Sequence, residues 1–190
     1  MSEQPGRYRR STSGLIGAIL ITLLVIGAFV TLRALFRSEL EVEPEPVDYL
    51  SAVGFAQREG FELVYPPELP EGWIATSVDL TQGEPPAWRI GMLTDDERFV
   101  GVRQEANDLD DMLDTYVDED VDEVEPRRLD SEIATEWRAF EDEGGDLALA
   151  AELDEDTVVL VYGSAPEADV VALAELLTAE ALEGQDATAP

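Results

Sequence analysis

The chain has 190 residues and a formal net charge of −31, with 43 acidic residues against 12 arginines and no Cys, His or Lys. Those absences exclude disulfides, Ser–His–Asp, Cys–His and Ser–Lys nucleophile pairs, Cys/His zinc sites, Schiff-base chemistry and a Walker A lysine. The acidity argues against nucleic acid as a partner, because binding phosphate needs clustered cations.

The charge is uneven. Residues 1–37 hold five Arg and one Glu, a net +4, whereas residues 38–190 hold seven Arg and 42 acids, a net −35. Residues 1–14 carry Arg7, Arg9 and Arg10 and are too short and polar to fold alone. These arginines are expected to be topogenic, holding a cytoplasmic tail inside. Residues 15–36 follow, with the uncharged run LIGAILITLLVIGAFVTL at 15–32. Eighteen helical residues rise roughly 27 Å, close to a hydrocarbon core of about 30 Å. The run is longer than a signal-peptide core and lacks a small-residue cleavage site, so an uncleaved transmembrane anchor is expected, formed by Leu15, Ile16, Leu20, Leu24, Phe29 and Leu32 among others. The acids and prolines of residues 37–47 read as a stiff stalk.

A folded domain is expected over 48–182. Residues 48–59 place Tyr49, Val53 and Ala56 on one helical face, with Gly60 as the stop. Phe61–Tyr65 reads as a short extended piece. The period-2 pattern of Trp73–Leu80 predicts a strand, and Trp88–Leu93 with Phe99–Gln104 predicts a hairpin about the turn Thr94–Glu97. In Asp108–Glu119, Leu109, Met112, Leu113, Tyr116 and Val117 recur at helical spacing, with acids favouring its start and opposing its end. Val124–Leu129 is limited to an edge strand by Pro126. Ile133–Phe140, Leu147–Leu153 and Thr157–Tyr162 predict further strands, the last apolar on both faces and hence central. Ser164-Ala165-Pro166-Glu167 has the S-x-x-E spacing of a capping box for a helix reaching Ala181. Residues 183–190 are expected to be a disordered tail. The fold class is therefore α+β: an N-terminal transmembrane helix followed by one domain with an antiparallel sheet packed by helices.

The acids crowded between Asp108 and Glu123 lack the turn glycine of a calcium loop and sit at helical spacing, so they read as a solvated face. No cofactor is implied. Ser164 lies on a strand-to-helix turn but has no His to activate it. Trp73, Trp88 and Trp137 fall on predicted strands, where aromatics usually pack in the core; a ligand-facing groove is the sharper alternative.

The segments RYRRSTSGLIGAI, PPELPEGWIATSV, WRIGMLTDDERFVGV and VVLVYGSAPEADVVAL together resemble the actinobacterial domain-of-unknown-function family 4245, over most of residues 7–177. The resemblance implies a single-pass envelope protein with no assigned activity and no catalytic residues to carry over. More loosely, Pro70-Glu71-Gly72-Trp73 followed by hairpins and a closing helix is similar to the Mog1/PsbP-like domains, which bind or assemble other components. The expected function is a non-enzymatic binding or assembly domain outside the plasma membrane, N-terminus cytoplasmic, with the membrane and an unknown envelope protein or ligand as partners. The alternatives are a carboxylate-based cell-wall glycan hydrolase, which needs two facing acids, and an extracytoplasmic ion or ligand sensor.

Overall fold

The computed structural model describes residues 19, 21–29, 31, 44–83, 86–154 and 157–182. The chain divides into two compact units, Met1–Pro44 and Glu45–Pro190.

In the first unit, residues 19, 21–29 and 31 are helical, and Leu24 and Phe29 are exposed. The expected transmembrane anchor is corrected here. Among the described residues no helix is long and apolar enough to cross a membrane. Leu15, Ile16, Leu20, Leu32 and the three arginines Arg7, Arg9 and Arg10 lie outside the described residues, as do most of the stalk and the 183–190 tail. The single-pass arrangement and the plasma-membrane location were inferred from that anchor, and they lose their basis with it.

The second unit is built on a seven-stranded antiparallel sheet. Its strands are β1 (Ile74–Thr81), β2 (Ala87–Leu93), β3 (Phe99–Glu105), β4 (Val121–Arg128), β5 (Glu136–Asp142), β6 (Leu147–Glu152) and β7 (Val158–Tyr162). Their order across the sheet is β1-β2-β3-β7-β6-β5-β4. Two meanders, β1–β3 and β4–β7, thus meet at a seam where β3 pairs with β7 from Gly101↔Tyr162 to Glu105↔Val158. The doubly apolar sequence of β7 fits its place as the middle strand: Val158, Val159, Leu160 and Val161 are all buried.

Three helices cover the sheet. Helix α1 (Tyr49–Arg58) and helix α3 (Glu167–Leu176) pack on one face, where Val53, Ala56, Val170 and Leu173 meet Ile90, Met92, Val100, Val102, Leu149 and Val161. Helix α2 (Leu109–Tyr116) packs on the other face, where Leu109, Met112 and Leu113 meet Phe140, Ala148, Ala150 and Leu160. Strand residues alternate between the two clusters (Leu149 on one side, Ala148 and Ala150 on the other), as the pleat requires.

The ends of the helices show local chemistry. Asp48 caps α1, its carboxylate accepting from the backbone N–H of Ser51 at 3.1 Å and from the Ser51 hydroxyl at 2.6 Å. Those bonds hold the Asp48 carboxyl below its usual range. Asp108 caps α2 by accepting from Asp110 N–H at 2.9 Å. The predicted capping box at Ser164 does not form. Pro166 is the N-cap of α3 and its ring offers no acceptor for a side-chain cap bond, while the Glu167 carboxylate pairs with Arg127 at 2.9 Å. Helix α3 also stops at Leu176, five residues short of the predicted end. Leu177 is extended, and Thr178 pairs with Tyr65 as an isolated bridge.

The edges differ. On β4 the register shifts between Val124 and Arg127, around Pro126. On β1 a bulge lies between Ala75 and Ser77, and Val47 N–H donates to Ala75 O at 2.8 Å.

Tyr49 ties α1 to the following loop, its hydroxyl donating to Pro66 O at 2.9 Å. Burial pushes its phenol up to about 12 from 10.0, since the phenolate would be poorly solvated there. A pKa raised on folding gives stability that is complete below the unfolded value and lost as pH rises through the folded one. The unit is therefore expected to lose stability between about pH 10 and pH 12. Tyr49→Phe should flatten that part of the pH profile in urea melts, and an unchanged slope would show that Tyr49 ionises freely.

Candidate binding site on the open half of the sheet

Because α2 sits against β5, β6 and β7, the same face of β1, β2 and β3 has no helix on it among the described residues. The side chains there are set by the strand parity: Ser77 and Asp79 on β1, Arg89 and Gly91 on β2, Phe99, Gly101, Arg103 and Glu105 on β3, and Tyr162 at the end of β7. Gly91 and Gly101 are direct cross-strand partners. A Cβ on Gly101 would lie 3.0 Å from Phe99 Cζ and 3.3 Å from Tyr162 Cε1, and one on Gly91 would lie 3.3 Å from Phe99 Cε2. The pair of glycines thus makes a shallow seat for the Phe99 ring, which remains 37% exposed.

Three aromatic residues gather at the border of this open half. Phe99 meets Tyr162 edge to face with centroids 5.9 Å apart, and Tyr116 from the last turn of α2 meets Tyr162 at 6.2 Å. Together with Val117, Asp142, Asp146 and the Gly163–Ser164 turn they line a hollow of about 150 Å³. The turn is fixed by the backbone. Gly163 has φ +150°, and a Cβ there would run into Phe99 O and come within 2.8 Å of Val100 Cα. Arg98 Nε donates to Ser164 O at 3.1 Å and adds a second tie.

Polar groups beside the hollow are paired. Glu105 is 8% exposed, the one carboxylate buried among the described residues. Its Oε1 accepts from Arg103 Nε and, at 2.8 Å, from the Tyr116 hydroxyl. The Arg103 guanidinium lies 3.8 Å above the Tyr116 ring. Arg103 stands directly across from Arg89 in the ladder, a like-charge pairing that costs stability unless each charge is offset. Glu105 offsets the first and Asp79, 3.8 Å from Arg89 Nε, offsets the second. Burial first, and then the bond to Glu105, pushes the Tyr116 phenol up; burial also raises Tyr162, against the opposing pull of Arg103 and Arg89.

A larger cleft of about 520 Å³ lies at the other end of the strands, bordered by Phe61, Val64, Leu80, Trp88, Gln104 and Leu153. Its polar groups are spent internally: Gln104 bonds Val64 N–H at 2.8 Å and Glu62 O at 3.0 Å, and Trp88 Nε1 donates to Val64 O at 3.0 Å.

The three tryptophans considered as ligand-facing are core residues in this fold. Trp73, Trp88 and Trp137 are 9%, 2% and 0% exposed and belong to the cluster under α1 and α3. Trp137 Nε1 donates to Ala134 O at 2.9 Å. Only Trp88 also borders a cleft. The residues that line the hollow were legible in the sequence only as members of their elements: Tyr116 as part of a helical stripe, Phe99 and Tyr162 as strand ends. No three acidic side chains among the described residues converge so as to hold a metal ion. The acids of α2 splay outward, and Glu123 on β4 pairs with Arg138 at 2.8 Å, which lowers its carboxyl below the usual range.

No curated protein matches the chain. A family model does, over residues 7–177, and its description is that of a protein of unknown function, DUF4245. A match across most of the sequence, from the N-terminal segment through β7 and α3, makes this chain a member of the DUF4245 family.

Proposed function

We propose that the chain is a non-enzymatic recognition module that binds a partner protein or ligand through the aromatic hollow and the open half of its sheet. The observation that carries this reading is the meeting of Phe99, Tyr116 and Tyr162 around a hollow at the border of the part of that sheet face that α2 leaves uncovered. Aromatic side chains on a rigid scaffold give large contact area at small entropy cost. The composition supports the first half of the reading: without His, Cys or Lys, acid–base chemistry would fall to carboxylates and tyrosines. The one buried carboxylate among the described residues, Glu105, is already engaged within the fold, accepting from Arg103 and from the Tyr116 hydroxyl. The glycan-hydrolase alternative therefore gains no support from it.

Photo-crosslinking tests the reading. A benzoylphenylalanine at position 99 of the full chain is expected to trap a discrete adduct in cells, whereas the same probe at exposed Phe55 on α1 is expected not to. Adducts at position 55 alone would move the binding surface elsewhere. Turnover of a chromogenic glycoside or ester that a single Asp→Asn change abolished would sink the non-enzymatic half.

A further inference from the structure

The hollow on which the proposed recognition role rests has a sign as well as a shape. Its walls are the rings of Phe99, Tyr116 and Tyr162, and its remaining polar side chains are Asp142, Asp146 and Ser164, with no arginine in the lining. It opens beside the C-terminal end of α2, whose last turn carries no basic residue. Ring quadrupoles present negative faces, carboxylates add formal charge, and a helix C-terminus adds partial negative charge. Three independent sources of negative potential thus converge on one small cavity.

Of the nearest cations, Arg103 has its charge offset by Glu105 while it stacks on Tyr116, and Arg98 is held to the backbone of the adjoining turn, its Nε donating to Ser164 O. That stacking shows an aromatic ring of this group already supporting a guanidinium. A bare divalent ion fits poorly, because it needs several converging oxygens and Asp142 Oδ1 already accepts from Asp146 N–H at 2.9 Å. A hollow of about 150 Å³ has room for a compact head group and not for a sugar chain or nucleotide. Apolar walls of negative potential suit a cation that is large, weakly hydrated and without hydrogen-bond demands.

We propose that the hollow binds an alkylated ammonium group of the choline type, carried by a small molecule. The test is a titration of the full chain, at fixed salt, with choline and with its neutral isostere 3,3-dimethylbutan-1-ol, followed by the NMR signals of the aromatic rings. Choline is expected to shift the Phe99, Tyr116 and Tyr162 signals saturably, and the isostere to bind about tenfold more weakly. Phe99→Leu and Asp146→Asn are each expected to weaken choline about threefold, with unchanged melting, since Phe99 is partly exposed and Asp146 lies in a turn. Equal binding of the isostere would overturn the ammonium assignment while leaving the hollow a binding site. A choline affinity unchanged by Phe99→Leu would place the cation elsewhere on the acidic surface and overturn it too, as would an absence of shifts. A trimethyl-lysine peptide binding more than about tenfold tighter than choline would overturn the small-molecule half. The recognition reading itself stands or falls separately, on the adduct at position 99.

Discussion

Trp88→Ala is expected to destabilise the folded unit by about 4 kcal/mol, the range seen when a fully buried large aromatic is truncated. Trp88 is 2% exposed on the second strand of the sheet, within the cluster that also contains Leu63, Val64, Ile90 and Val102. Its loss removes more than apolar area. The indole N–H holds Val64 O at 3.0 Å, so truncation also frees a carbonyl in a segment that Gln104 bonds from the other side. In a unit of this size the change should lower the melting temperature by roughly 10 °C. Trp88→Phe separates the two effects. It keeps a ring but loses the donor, and should cost about 1–2 kcal/mol. Urea unfolding of the three proteins measures both. A loss below about 1 kcal/mol for the alanine variant would mean that the strand and the Phe61–Tyr65 segment hold together without the indole.

Gly163→Ala is expected to cost about 3 kcal/mol, combining backbone strain at φ +150° with displacement of the chain that the new methyl would strike. The atoms in its way are backbone, Phe99 O and Val100 Cα, so no side chain can swing aside to make room. Gly145→Ala is the natural control. It too has positive φ, +82°, but nothing lies within 4 Å of the added carbon, so strain of about 1 kcal/mol is all it should show. If the two variants melted together, the clash at Gly163 would be relieved by a shift of the turn. In that case the Phe99 ring signals should move as well, because Ala165 N–H is bonded to Phe99 O.

The elements that could be read from the sequence are those whose signal is local. Helix α1 falls within one residue of its predicted bounds, because Asp48 caps it and Gly60 ends it. The strands β1, β2 and β3 follow their alternation, and β7 is central as its doubly apolar run implies. The errors come from interactions between distant segments. The apolar pattern of α3 continues past Leu176, but Thr178 exchanges both backbone bonds with Tyr65, more than a hundred residues earlier, at 3.0 Å each, and the extended partner wins over helix propensity. The S-x-x-E motif at Ser164 lost to a distant partner in the same way, because the N-cap of α3 falls at Pro166 and the Glu167 carboxylate pairs with Arg127, forty residues earlier.

The candidate site was less legible, for a related reason. Period-2 patterning says which residues share a sheet face but not which part of that face a helix will cover. Tyr116 and Val117 look like one more turn of a buried stripe. They are half-buried because the last turn of α2 ends at the border of the open half. Tryptophans drew attention as large aromatic side chains, yet the indole donors of Trp88 and Trp137 are satisfied within the core. The N-terminal run shows the converse limit. Its hydropathy predicted a span, and no helix among the described residues is long and apolar enough to make one.

The unlike edges of the sheet set how copies of this protein can join. On β4, Pro126 contributes no amide donor and the bulge around it breaks the ladder, so a strand arriving there finds no continuous row of partners. On β1 the bulge and the Val47 tie occupy only the Ala75–Ser77 end, and Val78–Thr81 keeps a regular register with β2. Each edge thus carries a break in its ladder, at Pro126 on β4 and at Ala75–Ser77 on β1, and leaves only a short regular row, Val121–Val124 or Val78–Thr81, which disfavours open-ended stacking of strand on strand.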